Sequence, residues 1–207
     1  MDPVVPEAAS AALLARLSAL LPRYDAIVVT DYGHGLMTPE IIELVCGSGK
    51  FLAVNTQTNA ANQGFNTVAK YPRADYVCVS EKELRLEARN RTTDVRLLVA
   101  ATAERMNCKR VMITRGGQGC LCYNPDEGFS TVPPFTDRIV DRIGAGDALL
   151  AVTAPCAAVG APMEVVGVIG NAVGAQAVTI VGNRSVVSRS ALLAQLETLL
   201  SHEPWQA

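Results

Sequence analysis

Five short apolar runs recur along the chain, and they constrain its fold more than anything else in it. They are AIVVT (26–30), FLAVN (51–55), YVCVS (76–80), RVMIT (110–114) and CLCYN (120–124). Each is too short for a helix and apolar enough to be buried, so each reads as a strand. FSTVP (129–133) follows as a short antiparallel partner. Helical patterns separate most of these runs. Leu13, Leu14, Leu17, Leu20 and Leu21 repeat at the spacing of one helical face, and Pro22 ends that pattern. Thr38 before Pro39 reads as an N-cap and first helical residue, opening a helix to about Cys46. Ser80 is placed to cap a helix starting at Glu81. Val95, Leu98, Val99, Thr102 and Met106 mark another helical face. Leu192, Leu193, Leu196, Leu199 and Leu200 mark the last helix. The polar stretch from Thr56 to Ala74 reads as loop.

Strands alternating with helices imply βαβ units. The expected fold is α/β: a three-layer, doubly wound, mostly parallel sheet with helices on both faces. Residues 1–207 read as a single α/β domain, since no repeat or long linker divides them. In such sheets ligands bind beyond the carboxyl ends of the strands. That directs attention to the segments after Thr30, Asn55, Val79 and Thr114.

Composition removes several functional classes. The net charge is −2 and aromatic residues are 5% of the chain, so there is neither the positive surface nor the stacking area of a nucleic-acid binder. Six cysteines, at 46, 78, 108, 120, 122 and 156, show no C-x-x-C spacing, and only two histidines accompany them. A reduced, cytoplasmic chain is expected. MDPVVPEAAS has no basic region ahead of an apolar run and does not read as a signal peptide. Between Ala148 and Gly182 the only charge is Glu164. Pro155, Gly160, Pro162, Gly167 and Gly170 interrupt that run, so two buried helices, about 146–159 and 162–180, are expected rather than a membrane span.

The segment best suited to chemistry is DRIGAGDALLA, Asp141 to Ala151. Gly144, Ala145 and Gly146 are small enough for backbone N–H groups to approach an anion, and a helix N-terminus adds donors and a favourable dipole. Asp147 beside that cradle can take a proton from an attacking hydroxyl. On spacing alone, an Asp that merely caps the helix remains open. RGGQG (115–119) between two strands is a tight turn that leaves room for a ribose or phosphate, or an ordinary hairpin turn.

The run D-x-x-G-A-G-D resembles the signature of the ribokinase-like (PfkB) carbohydrate kinases, commonly D-T-x-G-A-G-D, with Arg142 in place of the usual Thr. The resemblance makes Asp147 the catalytic base and the Gly144–Ala145–Gly146 amides the anion hole. VMITRGGQGCLCY is similar to the family's T-x-G-x-x-G turn, which places Thr114, Gly116 and Gly119 at an ATP pocket. Asn171, in GNAVGAQAVTIVG, resembles the family's apolar helix near the adenine, with a plain core helix as the alternative. YDAIVVTDYGHGLMTPEII is similar to the SDYGKG…T segment of bacterial heptose 7-phosphate kinases, the kinase part of ADP-heptose synthase, with His34 for Lys. That implies a substrate role for Asp31. The family's N-x-x-E, which organises magnesium and phosphates, aligns with Ser80 to Glu83, so Glu83 is the implied metal residue and Ser80 replaces Asn. The heptose-kinase DPKG aligns loosely with NTQT, which puts Asn55 and Gln57 where the family has Asp and Lys.

The resemblance thus implies an ATP- and Mg2+-dependent kinase acting on a small sugar or sugar phosphate. It covers roughly residues 10 to 200 and only the C-terminal portion of such kinases. The N-terminal, sugar-contacting and lid region has no counterpart, so the chain reads as part of a longer kinase. Apolar surface is expected where that region would pack, and with it self-association into a homo-oligomer. The alternative reading is a non-catalytic nucleotide-binding or assembly module on the same fold.

Overall fold

The computed structural model describes residues 5–59, 62–182 and 184–201. Residues 1–4, which belong to the leader reading, and the Leu200 side chain lie outside them. The strands are β1 (Ala26–Asp31), β2 (Phe51–Thr56), β3 (Tyr76–Ser80), β4 (Arg110–Thr114), β5 (Cys120–Asn124) and β6 (Gly128–Val132). The helices are α1 (Glu7–Leu20), α2 (Pro39–Gly47), α3 (Glu81–Glu87), α4 (Val95–Arg105), α5 (Ala145–Ala158), α6 (Met163–Ala177) and α7 (Arg189–Ser201). The sheet has six strands in the order β1-β2-β3-β4-β5-β6 and is mostly parallel, as the α/β reading expects. β1 to β4 are parallel in register, Ala26 opposite Phe51 and Tyr76 opposite Arg110. The three-residue link between β5 and β6 permits only an antiparallel pair.

The chain forms two compact units, one of residues 1–114 with 123–129, the other of 115–122 with 130–207. In the first, α2 connects β1 to β2, and α3 and α4 connect β3 to β4, with α3 packed against both of those strands and α4 against β4. β2, β3 and β4 are buried along nearly their whole length. β1 departs from its sequence reading. Val29 and Asp31 are buried, but Val28 on the other face is 46% exposed, and Tyr24 just before it is 55% exposed. An edge strand and a central one share the same β-branched composition, so the pattern could not separate them. Four of the five leucines lie in α1 and Leu21 in the turn that follows it; all five are only half-buried, and the helix packs on α2. The caps follow the residues read for them. Thr38 Oγ1 accepts from the Ile41 amide, and α2 buries Ile41, Ile42, Val45 and Cys46. Ser80 and Glu83 form a reciprocal capping box on α3.

In the second unit the weakly charged run becomes the pair α5 and α6, packed on each other. Among the described residues no helix is long and apolar enough to cross a membrane. A Cβ on Gly167 of α6 would come within 2.8 Å of Cys122 Sγ and 2.9 Å of Val132 Cγ2, so only a residue without a side chain allows this approach. α7 closes the unit, with Leu192 set against Ala172 and Val173, and Phe135, Val152 and Leu196 around them.

Candidate functional site

In the second unit, the chain reverses at Gly144 and enters α5. Gly144 holds the left-handed conformation (φ 76°, ψ −6°) at the N-cap position, and no side chain caps the helix. A helix leaves its first amides without intrahelical acceptors, so this N-terminus keeps the donor character and dipole of an anion site. The turn is closed by Ala145 N donating to the Arg142 carbonyl at 3.3 Å and Ala148 N donating to the Gly144 carbonyl at 2.9 Å. A Cβ built on Gly146 meets nothing within 4 Å, which leaves open space beside it. Asp147, half-buried in the first turn of α5, lines a cavity of about 410 Å3 together with Gly144. Its remaining walls are mostly apolar, among them Ile143, Val152, Ile180, Val186 and Val187. The turn is therefore neither sealed in the interior nor turned from a cleft. Sequence reasoning missed Ile180, Val186 and Val187 in the wall; no motif marks them, because branched apolar residues are common in any core. Ser185, which also lines the cavity, had no signal either.

Gly119 and Asn171 meet one group, the Val132 carbonyl. Gly119 (φ 76°) has no room for a side chain, since a Cβ would collide with that oxygen. Asn171 Nδ2 donates to the Val132 carbonyl at 2.9 Å and to the Pro133 carbonyl at 2.8 Å. The RGGQG turn is held by Arg115 N donating to the Gly119 carbonyl at 2.8 Å, and Gly116 (φ 56°) opens its short 3-10 turn. Neither Gly119 nor Asn171 lines the 410 Å3 cavity. In the first unit, Thr114 ends β4 opposite Ser80 of β3.

Asp31, also in the first unit, is 4% exposed and its carboxylate is fully engaged. Oδ1 accepts from Gly33 N at 2.9 Å, and Oδ2 accepts from the Tyr71 hydroxyl at 2.6 Å and pairs with Lys70 Nζ at 2.5 Å. Its carbonyl accepts from Asn66 Nδ2 at 2.8 Å. Burial, then the adjacent Asp31 charge, pushes the Tyr71 hydroxyl far above its ordinary pKa, so it stays a donor. The loop after β2 is thus fastened to the end of β1 by Asn66, Lys70 and Tyr71, three residues the sequence reading left in an irregular stretch. The Asp31 side chain organises this loop, and beside it Gly33, Gly35, Asn62, Phe65, Asn66 and Lys70 line a small cavity of about 160 Å3. His34 stacks on Tyr32, ring centroids 6.2 Å apart.

Glu83 is likewise engaged. Oε1 accepts from Thr58 N at 3.0 Å, and Oε2 accepts from Ser80 N and Ser80 Oγ, both at 2.8 Å. Nearby in sequence to that loop, Asn55 Nδ2 donates to the Cys78 carbonyl at 2.7 Å, while its buried Oδ1 has no partner among the described residues. No group of three or more His, Cys, Asp or Glu among the described residues is arranged to hold a metal.

Comparison with known proteins places this architecture. The structure is similar to phosphofructokinase-2 from Escherichia coli in complex with potassium, at 19% identity and a TM-score of 0.77, covering 96% of this chain and 64% of that one. It is also similar to ribokinase from Thermotoga maritima, at 22% identity and a TM-score of 0.69, covering 86% of this chain and 59% of that one. The fold is thus that of the ribokinase-like sugar kinases. Residues 38–189 match the pfkB family carbohydrate kinases, and the chain belongs to that family. Curated relatives include the bifunctional protein HldE of Citrifermentans bemidjiense, 28% identical over 173 residues, which are 82% of this chain and 35% of the relative. HldE of Paramagnetospirillum magneticum is 31% identical over 164 residues, 77% of this chain and 33% of the relative. The chain spans about a third of the length of these relatives.

Proposed function

We propose that this chain carries the nucleotide-binding and base-bearing part of an ATP-dependent sugar kinase, with an acceptor of the heptose-phosphate kind. The observation that carries the reading is the uncapped glycine turn at the start of α5 with Asp147 on the adjoining cavity. The turn amides hold phosphoryl oxygens and stabilise the charge that develops on them during transfer. Asp147 accepts the proton of the sugar hydroxyl as its oxygen attacks the γ-phosphorus. The apolar cavity next to the turn suits the flat, weakly polar face of a base. Thr114, Gly116, Gly119 and Asn171 act on the nucleotide indirectly, the last two through the Val132 carbonyl. Magnesium, where bound, neutralises phosphate charge. With no carboxylate cluster among the described residues to cage it, it would be held mainly by the phosphates; Glu83, the metal residue the resemblance implies, already accepts from Thr58 N, Ser80 N and Ser80 Oγ. Asp31 serves the acceptor by shaping the Gly33–Gly35 loop. The partly open face of β1 favours self-association.

Calorimetry with Mg-ATP tests the binding half, and Asp147→Asn in the full chain tests the chemistry. Binding is expected in both proteins, with turnover lost in the variant. Unchanged turnover would remove Asp147 from the mechanism. A second reading, a binding module without turnover, is favoured by Asn55, whose buried Oδ1 lacks a donor, and by the engaged Glu83. Tight Mg-ATP binding with no transfer to any sugar phosphate by the native chain would select it.

A further inference from the structure

We propose that β1 pairs with β1 of a second copy of this chain, in an antiparallel two-fold register centred on Val28. This gives the self-association proposed above an interface, and it does not depend on the nucleotide reading. Among the described residues β1 ends the sheet and pairs with β2 alone. Its ladder to β2 uses the odd-numbered residues: the carbonyls of Asp25 and Asp31 accept from Phe51 N and Gln57 N, at 3.3 and 2.8 Å. Alternation along a strand turns the N–H and C=O groups of Ala26, Val28 and Thr30 to the open edge. The side chains of the same three residues are exposed, whereas Val29 and Asp31 are buried. Tyr24 and Tyr32, at the two ends, are 55% and 40% exposed. An edge strand is ordinarily guarded by lysine, proline, a bulge or a covering element. Residues 24–32 contain neither lysine nor proline, and the outward set Tyr24, Ala26, Val28, Thr30 and Tyr32 has no charge.

That outward set is close to a palindrome, which favours a second copy over an unrelated strand. With Val28 on the two-fold axis, Val28 meets Val28, Ala26 meets Thr30 and Tyr24 meets Tyr32. The three inner positions are those whose backbone groups face outward, so they form the hydrogen-bonded pairs of an antiparallel ladder, each exchanging both N–H···O bonds. A shift by one residue would set outward groups against inward ones and lose that ladder. Cross-strand pairs of β-branched and aromatic side chains add to the backbone bonds. On the opposite face Asp25 comes against Asp31, whose charge Lys70 already balances. One strand pair is small beside the about 1,200–2,000 Å2 of a stable interface, so a weak dimer is expected, dissociating at about 10–100 µM.

The test is sedimentation equilibrium of the full chain from about 1 to 500 µM, a range in which the native chain is expected to pass from monomer to dimer. Val28→Lys, which sets two ammonium groups on the axis, is expected to raise the dissociation constant at least about tenfold, and Val28→Thr to hold it within about threefold. Register is read from introduced cysteines, with diamide as the oxidant and the linked peptides mapped by mass spectrometry. Val28→Cys is expected to cross-link to itself, while Ala26→Cys and Thr30→Cys cross-link only when mixed with each other. A native chain that stays monomeric, or pairs only with a different strand-bearing polypeptide added to it, overturns the proposal. So does a dimer that Val28→Lys leaves intact, or one whose cross-links depart from this pattern. Should Val28→Lys fail to fold, the native equilibrium and the cross-links decide in the same way.

Discussion

Carboxylates beside glycines occur at element ends in both units, with opposite use. At the end of β1, both Asp31 oxygens are taken by Gly33, Tyr71 and Lys70, and the glycine that follows has no space for a side chain. At the start of α5, no side chain caps the helix, Gly146 faces open space, and Asp147 borders a cavity. Both segments carry the composition that marks a ligand site in a sequence. What differs is whether the protein supplies the hydrogen-bond partners itself. A group whose partners are all internal holds a loop; a helix start that no side chain caps keeps its dipole for an external anion.

Substitution of the two aspartates should separate these uses most sharply. Asp147→Asn is expected to lower phosphoryl transfer by about 10³-fold, within the range for losing a general base, with the melting temperature moved by no more than about 2 °C. Asp31→Ala should do the reverse: it strands the buried Tyr71 hydroxyl and the Lys70 ammonium and destabilises by about 2–4 kcal/mol, read as a shift in the denaturant midpoint. If Asp31→Ala melts like the native chain, the contrast drawn between the two sites fails. Gly119→Ala follows, at about 2–3 kcal/mol, because its Cβ would meet the fixed Val132 carbonyl in a left-handed backbone. Gly146→Ala is the complementary case. It should leave stability unchanged or raise it by up to about 1 kcal/mol, since alanine favours the helix, and still weaken Mg-ATP binding about tenfold by filling the open space. Equal ATP affinity in that variant would mean the phosphates lie elsewhere.

The smallest effect concerns the thiols. Burial pushes Cys108 up to about 12. The folded state therefore keeps this thiol neutral, and the stability it contributes is complete below the unfolded value of about 8.5 and declines as pH rises from there towards 12. Alkylation at about pH 8, near the unperturbed thiol pKa, should spare Cys108 in the native chain and reach it in denaturant.

Much of this was legible beforehand, for identifiable reasons. The strands were found within a residue or so because short apolar runs between breakers have few other uses. Ser80 and Thr38 were recognised as caps because a hydroxyl three residues before a free amide is a local device. The glycine turn before Asp147 was equally local. Lys70 and Tyr71 were not found, since their partner Asp31 lies about 40 positions away and nothing in a polar loop marks which residue returns to a strand end. The open side of β1 was missed because burial depends on what lies beside a strand, not on its residues. The Val132 carbonyl, which joins Gly119 to Asn171, has no sequence signature at all.

By itself the amino-acid order determined the alternation of strands and helices, the caps, and a glycine turn with a carboxylate in the first helical turn. These depend on contacts within a few residues, where backbone sterics and side-chain type suffice. Tertiary structure alone decided which carboxylates are already satisfied and which adjoin a cavity. Those outcomes depend on groups tens of residues apart arriving within about 3 Å, the reach of a hydrogen bond, which only the packing of whole elements can arrange.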